Sequence, residues 1–387
     1  MRCRCAVLLG LACVRGFGLR PTLHGRPGRT ARASTPGEIL PGEILFEAQR
    51  QAMAVAAEEE GACFEGRVTA LPAPSLAAKP KSKAKTSKRR RGAGFAGATD
   101  AAAAAAAAAA SARWRALRKA GVLKIEGAIP RETAADLRAY VVDDLAAARA
   151  ACAAAAEAGD AEARRENRRR FHSDVAERPL RSFLLTPLDE PRCHAGLRGL
   201  LASGSPLGDV FERACGGDDA QFYDFNALRT ERGSPRQPVH WDTPFQERPP
   251  LYTAFVALQR VTREMGATLF LPGTHALDDG TRRGFDAGGA AKRAALEGAR
   301  VFDGVLEPGD VTIFDMRVLH CGQPNLADLG DQRFFLNFTF CNPRADCSDL
   351  GHAPCIRPGY ARRMTLADVR AQLASAAPFA DLGDGLR

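Results

Sequence analysis

The sequence is poor in the features that mark membrane, fibrous and disulfide-rich proteins. No apolar run reaches the roughly 18 residues that a membrane-spanning helix needs, so the mature chain is not expected to cross a bilayer. The eleven cysteines include no Cys-x-x-Cys pair, which argues against a zinc ribbon or a disulfide framework and favours reduced thiols. Hydrophobic residues make up 45% and charged residues 26% of the chain, which excludes a wholly disordered or collagen-like protein.

The chain does have an excess of positive charge, and it lies at one end. The formal net charge is +9. Residues 1–112 hold 17 basic and 8 acidic side chains, whereas residues 113–387 hold 37 of each. The second part is therefore electrically balanced, and it is long enough to bury one sizeable core. We expect no nucleic-acid partner for this folded part, because the charge that would attract one lies elsewhere.

Residues 1–36 have the composition of a targeting leader. Arg2 and Arg4 precede an apolar run over residues 5–14, as in a signal peptide. Residues 15–37 then contain arginine, serine and threonine but no acidic residue, as in a transit peptide. The two signals in series resemble the bipartite leaders of plastids reached through the secretory route. The secretory pathway itself and the mitochondrion are the alternative destinations.

Residues 37–112 are expected to form a disordered linker. Eight of the thirteen residues 79–91 are basic, and an alanine tract covers residues 101–110. Like charges repel and little in the basic run is apolar enough to bury, while an isolated alanine helix of this length is marginal. The alternative for the basic run is a nuclear-localisation or RNA-binding patch, although it lacks the aromatic side chains of a base-stacking platform.

A folded domain is expected over residues 113–345, with an extension over 346–387 that packs on it or is partly disordered. Residues 121–130 predict a strand and a turn, and apolar residues at helical spacing predict a helix from Arg131 to about Ala158. Residues 180–200 suggest a helical pair. Seven later runs, rich in β-branched, aromatic and aliphatic residues, predict short strands. These runs are 221–228, 239–242, 251–258, 268–271, 301–306, 311–314 and 334–340. The predicted fold class is mainly β with flanking α-helices.

His240-Trp241-Asp242 is the first part of a candidate metal site. Residues i and i+2 of a strand point to the same face, so His240 and Asp242 can offer an imidazole and a carboxylate to one cation. His320, which follows a Pro-Gly-Asp turn and a strand, is the best candidate for the third ligand. His275, which follows another turn, is the alternative. Two histidines and one carboxylate suit non-haem Fe(II) and leave coordination positions open.

Arg333 opens the apolar run 334–340. A charged side chain at the start of so apolar a strand is costly without a partner. An arginine can hold a carboxylate through two parallel hydrogen bonds. Arg333 is therefore a candidate for binding an anionic group.

These motifs occur together in the order found in one family. His240-x-Asp242, the segment 266–275, the Pro-Gly-Asp turn with His320-x-Gly, and Arg333 resemble the phytanoyl-CoA dioxygenase family, over roughly residues 115–345. The resemblance implies a double-stranded β-helix, a jelly-roll or cupin-like core with iron at its mouth. It implies Fe(II) as cofactor, with 2-oxoglutarate and O2 as cosubstrates. By the same likeness the two histidines and Asp242 ligate iron, Arg333 binds the distal carboxylate of 2-oxoglutarate, and no catalytic residue is expected beyond the metal centre.

The resemblance implies a dioxygenase that hydroxylates a small organic or lipid-like substrate while 2-oxoglutarate is decarboxylated to succinate and CO2. Asp242 favours hydroxylation, because related halogenases lack this carboxylate. Gln237, Thr253 and Tyr223 are further candidates for the pocket, although ordinary barrel packing also explains each. The alternative is a cupin-like metal protein without this activity, such as a hydrolase, an isomerase or a sensor. Arg333 discriminates between the two, since only a carboxylate-bearing cosubstrate needs it.

Overall fold

The structure is a computed structural model of the 387-residue chain. It describes residues 57–58, 60–64, 68–70, 96–171, 180–326, 328–357, 359–361 and 363–375. The predicted leader and the basic run lie outside these residues, so the interpretations of both stay predictions. None of the helices in the described ranges has the length and hydropathy needed to span a membrane.

Most helices of the described chain precede residue 221, and most of the strands follow it. The strands are β1 (Thr69–Ala70), β2 (Val122–Ile125), β3 (Arg181–Leu185), β4 (Gln221–Thr230), β5 (Leu251–Ala257), β6 (Thr268–Leu271), β7 (Phe302–Asp303), β8 (Val311–Asp315), β9 (Leu319–Gly322) and β10 (Arg333–Cys341). The helices are α1 (Ala96–Ala120), α2 (Arg131–Glu157), α3 (Ala161–Arg168), α4 (Pro191–Leu201), α5 (Gly208–Cys215), α6 (Asp279–Asp286), α7 (Gly289–Gly298) and α8 (Leu366–Ala374). The predicted strand near residue 122 and the predicted helix from Arg131 are confirmed.

Two sheets form the core of the domain. The larger is antiparallel throughout, in the order β2-β8-β5-β10-β4-β3, and the smaller has the order β1-β7-β6-β9, in which only β1 and β7 are parallel. The inner faces of the two sheets meet where the Phe270 ring on β6 lies 5.1 Å from the Phe314 ring on β8, measured between centroids. The predicted class, mainly β with flanking helices and a double-stranded β-helix core, is confirmed.

Strand β10 shows how alternation in the sequence builds this barrel. Its even-numbered residues, from Phe334 to Phe340, belong to the large hydrophobic cluster formed with the helices. The Phe211 ring of α5, for example, lies 4.9 Å from that of Phe340. The odd-numbered residues from Arg333 to Thr339 face the barrel interior, because successive side chains of a strand point to opposite faces. One strand therefore supplies both the outer core and the lining of the site.

Part of the predicted linker belongs to the folded domain. Residues 96–112 lie in helix α1, which crosses the expected boundary at residue 113 without a break. Alanine alone makes a marginal helix, but α1 continues into Trp114 and Leu117. Leu117 is fully buried, and the Trp114 ring packs edge-on against Tyr252 at 6.2 Å. Tertiary packing at the end of the helix thus stabilises a segment that composition alone leaves disordered.

A second piece of the linker also contacts the domain. The Glu60 carboxylate accepts a hydrogen bond from the Val239 backbone N–H over 2.6 Å and pairs with Lys292. Phe64 is buried in a cluster with residues of β6 and β9. Residues 60–64 therefore support the segment that leads directly into His240.

Two local predictions are wrong. Within 180–200, only α4 is helical, whereas residues 181–185 form strand β3, which pairs with β4. A run of five residues is too short for its hydrophobic periodicity to distinguish a strand from a helix. Pairing with the neighbouring strand β4 gives it the extended conformation. Residues 239–242 form no regular strand; His240 makes a single bridge to His320 instead.

In the predicted C-terminal extension, helix α8 packs on the domain through Leu366, Val369 and Leu373.

The expectation of reduced thiols is wrong at two cysteines. Cys341, at the end of β10, and Cys347 form a disulfide, with their Cα atoms 6.8 Å apart. The chain turns back after β10, where Asn342 hydrogen-bonds to the backbone carbonyls of Pro249 and Pro250. This turn brings together two cysteines whose spacing matches no recognised motif.

Candidate metal centre

A backbone bridge brings the two histidines of the site together. The N–H of His240 donates to the carbonyl of His320 over 3.0 Å, and the N–H of His320 donates to the carbonyl of His240 over 2.9 Å. His320 lies in β9, whose neighbour β6 fixes it in the smaller sheet. The bridge therefore anchors the irregular segment around His240 to a regular strand.

Asp242 lies between the two imidazoles. One carboxylate oxygen is 3.4 Å from Nε2 of His240, and the other is 3.3 Å from Nε2 of His320. The three potential ligand atoms all lie within 4.8 Å of one another. Both histidines are buried, whereas 23% of the Asp242 side chain is exposed, so the cluster opens to one side. The structure thus brings together the three residues that the sequence proposes as ligands.

In each histidine, Nδ1 is hydrogen-bonded to a backbone carbonyl. Nδ1 of His240 lies 2.8 Å from the carbonyl of Pro238, and Nδ1 of His320 lies 3.0 Å from the carbonyl of Val318. A carbonyl accepts only from a protonated nitrogen, so the neutral rings carry their hydrogen on Nδ1 and leave Nε2 as the basic atom. Metal-binding histidines commonly have such a hydrogen bond on the distal nitrogen, which fixes ring orientation.

The charges of the cluster are coupled. Burial opposes ionisation of Asp242, but His320 and the hydrogen bonds from both histidines outweigh it and hold the pKa of the carboxyl well below its usual 3.8. Burial also disfavours the charged form of His320, yet the Asp242 carboxylate prevails and raises the pKa of that imidazole above its usual 6.5. Without a cation the site therefore favours a protonated imidazole beside a carboxylate, and a divalent metal ion would take the place of that proton.

Arg333 is a buried cation that has no counter-ion in the described part of the chain. It is 3% exposed, and among the described residues no carboxylate oxygen lies within 4.0 Å of it. The guanidinium donates to the carbonyl of Gly266 and, over 3.0 Å, to the hydroxyl of Thr230, while its Nε has no hydrogen-bond partner in the described part of the chain. Burial, together with nearby Arg181, lowers the pKa of Arg333 to about 9, so the charge persists at neutral pH. The site therefore offers an anion a ready partner.

Arg333 and His320 face the same barrel interior. Gly266, which accepts a hydrogen bond from Arg333, lies two residues before Thr268. Thr268 pairs with Gly322 across β6 and β9, and Gly322 lies two residues beyond His320. The step from His320 to Gly322 within β9 covers about 7 Å and returns to the same face of the strand. The guanidinium thus lies further along the barrel from the triad, on the side of Gly322.

Aromatic rings line the space around these groups. The Phe314 ring lies 5.0 Å and the Phe270 ring 6.1 Å from the His320 ring, measured between centroids. Phe335 lies nearer Arg333, with its ring centre 5.0 Å from the guanidinium carbon, and it stacks on Phe255. Such a lining excludes water and strengthens the electrostatic interactions of the buried charges.

The three lesser candidates lie in different surroundings. The Thr253 hydroxyl faces the barrel interior, where it donates to the side-chain oxygen of Asn337 over 2.8 Å. The side-chain oxygen of Gln237 accepts from the N–H of Gly322 over 2.8 Å, and a β-carbon at Gly322 would lie only 2.6 Å from it. The Tyr223 hydroxyl donates to the carbonyl of His352 over 2.7 Å. Thr253 thus turns its polar group toward the interior of the barrel, and the Gln237 oxygen lies on the interior side as well, because Gly322 shares the strand face of His320.

His275 lies apart from the triad. Its Nε2 is 3.1 Å from the carbonyl of Arg118, at the end of α1, and the ring packs against Gly121. Two polar residues that sequence reasoning missed lie closer to the candidate pocket. Asn337 could have been found from its spacing of four from Arg333 on the same strand face. Arg181 could not, because nothing near β3 in the sequence indicates contact with β9 and β10.

Comparisons with known proteins show the family of this chain. Residues 117–329 match the sequence model of the family described as phytanoyl-CoA dioxygenase (PhyH). The dioxygenase lolE1 of Epichloe uncinata is 30% identical over 162 residues, which cover 41% of this chain and 61% of that protein. The present chain thus spans less than two thirds of the length of this relative.

The solved structures to which this chain is similar have low sequence identity to it. The epimerase SnoN from nogalamycin biosynthesis, in complex with Fe3+, alpha ketoglutarate and nogalamycin RO, is 18% identical, with a TM-score of 0.42 over 64% of this chain and 88% of that one. HygX from Streptomyces hygroscopicus, with nickel and 2-oxoglutarate bound, is 14% identical, with a TM-score of 0.38 over 66% of this chain and 98% of that one.

Proposed function

Since the chain belongs to the phytanoyl-CoA dioxygenase family and is an enzyme of the Fe(II)/2-oxoglutarate-dependent type, we propose that it hydroxylates a small organic or lipid-like substrate. The observation that carries this proposal is the cluster of His240, Asp242 and His320, with its three ligand atoms within 4.8 Å of one another. A cluster with the carboxylate present supports hydroxylation rather than halogenation.

The donor set fits Fe(II). Two imidazole nitrogens and one carboxylate are the ligands of the facial triad, which leaves positions open for a chelating cosubstrate and for O2. Both histidines have Nδ1 engaged by backbone carbonyls, so that Nε2 is the atom available to a metal. His240, Asp242 and His320 would hold the ion. When bound, iron and 2-oxoglutarate together activate O2 for oxidation of the substrate, with release of succinate and CO2.

The buried guanidinium fits the other end of 2-oxoglutarate. Arg333 is in the barrel interior, is charged at neutral pH and has an Nε with no partner in the described chain. We assign it to the distal carboxylate, with the Thr230 hydroxyl, 3.0 Å away, beside it. Thr253 contributes to the pocket wall. Gln237 acts through Gly322, whose backbone it holds.

The residues of the chain have three tasks in this reaction. The triad would bind the metal ion through two imidazoles and one carboxylate and would thereby orient the cosubstrate. Arg333 discriminates in favour of a dicarboxylate, because an analogue that lacks the distal carboxylate leaves a buried guanidinium unpaired. Phe270 and Phe314, which flank His320, keep bulk water from the reacting groups.

The test is succinate formation from 2-oxoglutarate with Fe(II), compared between the natural protein and Asp242→Ala. Iron-dependent turnover that falls at least a hundredfold in the variant would support the proposal, since removal of a ligand eliminates the open three-ligand site. Equal turnover in both proteins would refute it. Metal binding without any stabilisation by 2-oxoglutarate would favour the alternative, a cupin-like metal protein of another activity.

A further inference from the structure

Arg282 is a buried charge in a short helix whose only other buried residue is Phe285. It lies in α6, is 3% exposed, and among the described residues forms no ion pair within 4.0 Å. Its neighbour Arg283 is 75% exposed and pairs with Asp279 of the same helix. A buried guanidinium without a carboxylate partner is costly, so its position calls for a compensating role.

The guanidinium holds the residues on either side of Asp242. Its carbon lies 4.2 Å from the centre of the Trp241 ring, in the geometry of a cation–π interaction. Its Nη2 donates to the carbonyl of Thr243 over 2.6 Å. The ring of Phe245, 5.9 Å away, covers the same group further along the loop. Arg282 therefore contacts the residues before and after the carboxylate without contacting the carboxylate itself.

A second arginine holds the same loop from the opposite end. Arg317 is paired with Asp315 and donates through Nη1 to the carbonyls of Gln246 and Glu247, over 2.8 and 3.1 Å. The N–H of Asp242 donates to the carbonyl of Met316, which lies beside Arg317. Residues 241–247 are thus held between two buried arginines.

The loop depends on these side-chain contacts because it is not hydrogen-bonded as a strand of either sheet. The segment from 239 to 242 makes one isolated bridge, at His240, and is not part of a regular strand. His320, by contrast, is fixed by β9 and its neighbour. Asp242 has one backbone hydrogen bond, to Met316, and the residues on either side of it are held by the Arg282 side chain.

We propose that Arg282 is a positioning residue that holds Asp242 at the distance at which its carboxylate shares one metal ion with His240 and His320. The proposal rests on the proposed function, since it concerns the same metal centre. Burial lowers the pKa of Arg282 only to about 10, so the side chain stays charged under the conditions of turnover. Its planar fork spans a ring and a carbonyl together, which a lysine ammonium cannot reproduce.

The experiment compares Arg282→Lys and Arg282→Met with the matched control variants Arg283→Lys and Arg283→Met. The affinity for Fe(II) is measured anaerobically on the full chain by competition with a chelator. Circular dichroism then gives the melting temperature of each metal-free protein. The absorption spectrum of the Co(II)-loaded protein provides an independent readout of coordination geometry, which a role limited to folding would leave unchanged.

We expect the Arg282 variants to bind Fe(II) about tenfold to a hundredfold more weakly than the natural protein, with an altered Co(II) spectrum. The Arg283 variants should match the natural protein. Natural affinity and spectrum in a folded Arg282 variant would overturn the proposal. If Arg282→Met fails to fold, Arg282→Lys decides alone, and failure of both would make the residue structural and equally overturn it. Absence of Fe(II) binding by the natural protein would instead refute the proposed function.

Discussion

His240 and His320 exchange both backbone hydrogen bonds, over 3.0 and 2.9 Å, and their ring centroids are 4.6 Å apart. Their Nε2 atoms lie beside opposite oxygens of Asp242. The bridge joins the irregular segment after Pro238 to a regular strand of the smaller sheet. A metal ion at this point would tie two distant segments of the chain together.

Metal binding should therefore stabilise the fold. A ligand present at a hundred times its dissociation constant stabilises the native state by about 2.7 kcal/mol. We expect Fe(II), added anaerobically, to raise the melting temperature in calorimetry, and a chelator to reverse the effect. His320→Ala should lose this increase. His275→Ala should keep it even if the metal-free variant is less stable, and loss of the metal effect in His275→Ala would make His275 the third ligand.

Arg333→Met should weaken 2-oxoglutarate binding without lowering the stability of the metal-free protein. The variant loses charge-assisted hydrogen bonds worth about 1.5–3 kcal/mol, so we expect affinity for 2-oxoglutarate to fall roughly tenfold to a hundredfold while Fe(II) affinity is kept. The metal-free variant should be as stable as the natural protein or more so, because an unpaired buried charge is removed. Isothermal titration and denaturant unfolding measure the two effects. Unchanged 2-oxoglutarate affinity would contradict the assignment, and the exposed Arg260→Met provides the control.

Metal affinity should fall as the pH is lowered. In the metal-free protein the raised pKa of His320 adds stability that is fully present below about pH 6.5 and is lost as the pH rises through the raised value. The lowered pKa of Asp242 adds stability that is present above about pH 3.8 and is lost as the pH falls through the lowered value. Since metal needs the neutral imidazole, protons compete with it below the raised pKa of His320.

The pH effect is measured as the Fe(II) dissociation constant over about pH 6–9, with proton release followed on binding. Asp242→Asn removes the charge that raises the pKa of His320, so proton competition in that variant should begin at lower pH, although its overall affinity is weaker. A dissociation constant that does not change with pH in the natural protein would argue against metal binding at His320.

The Cys341–Cys347 disulfide should stabilise the turn after β10. A cross-link that closes so short a loop contributes about 2 kcal/mol in the chain-entropy description. We expect Cys341→Ser combined with Cys347→Ser to lower the free energy of unfolding by about that amount, and a reductant to do the same to the natural protein. Titration of thiols under denaturing conditions should find two fewer in the oxidised protein than in the reduced one, and equal counts would show that the bond does not form.

The sequence predicts the triad because each ligand position follows from local pattern. His240 and Asp242 are two residues apart, and His320 follows a recognisable turn and strand. Arg333 is predicted for a different reason, since a charge at the start of an apolar strand needs a partner. These inferences depend on residues close together in the chain, and they survive the error about residues 239–242, which form a bridge and not a strand.

The support around the triad could not be predicted in the same way. Arg282 lies in a short polar helix and has the local pattern of a surface residue; only tertiary packing places it against Trp241. Helix α1 likewise depends on burial of Leu117 at its end, which composition does not reveal. Such features arise from contacts between residues far apart in sequence, where periodicity and spacing carry no information.

Anaerobic crystallography of the full chain with Fe(II) and 2-oxoglutarate is the decisive test of the proposed iron site. We predict one anomalous peak at the iron edge, bonded to Nε2 of His240, an Asp242 carboxylate oxygen and Nε2 of His320, with the distal carboxylate of 2-oxoglutarate on the guanidinium of Arg333. An iron peak that omits any of the three ligands, or a 2-oxoglutarate molecule bound away from Arg333, would contradict the account.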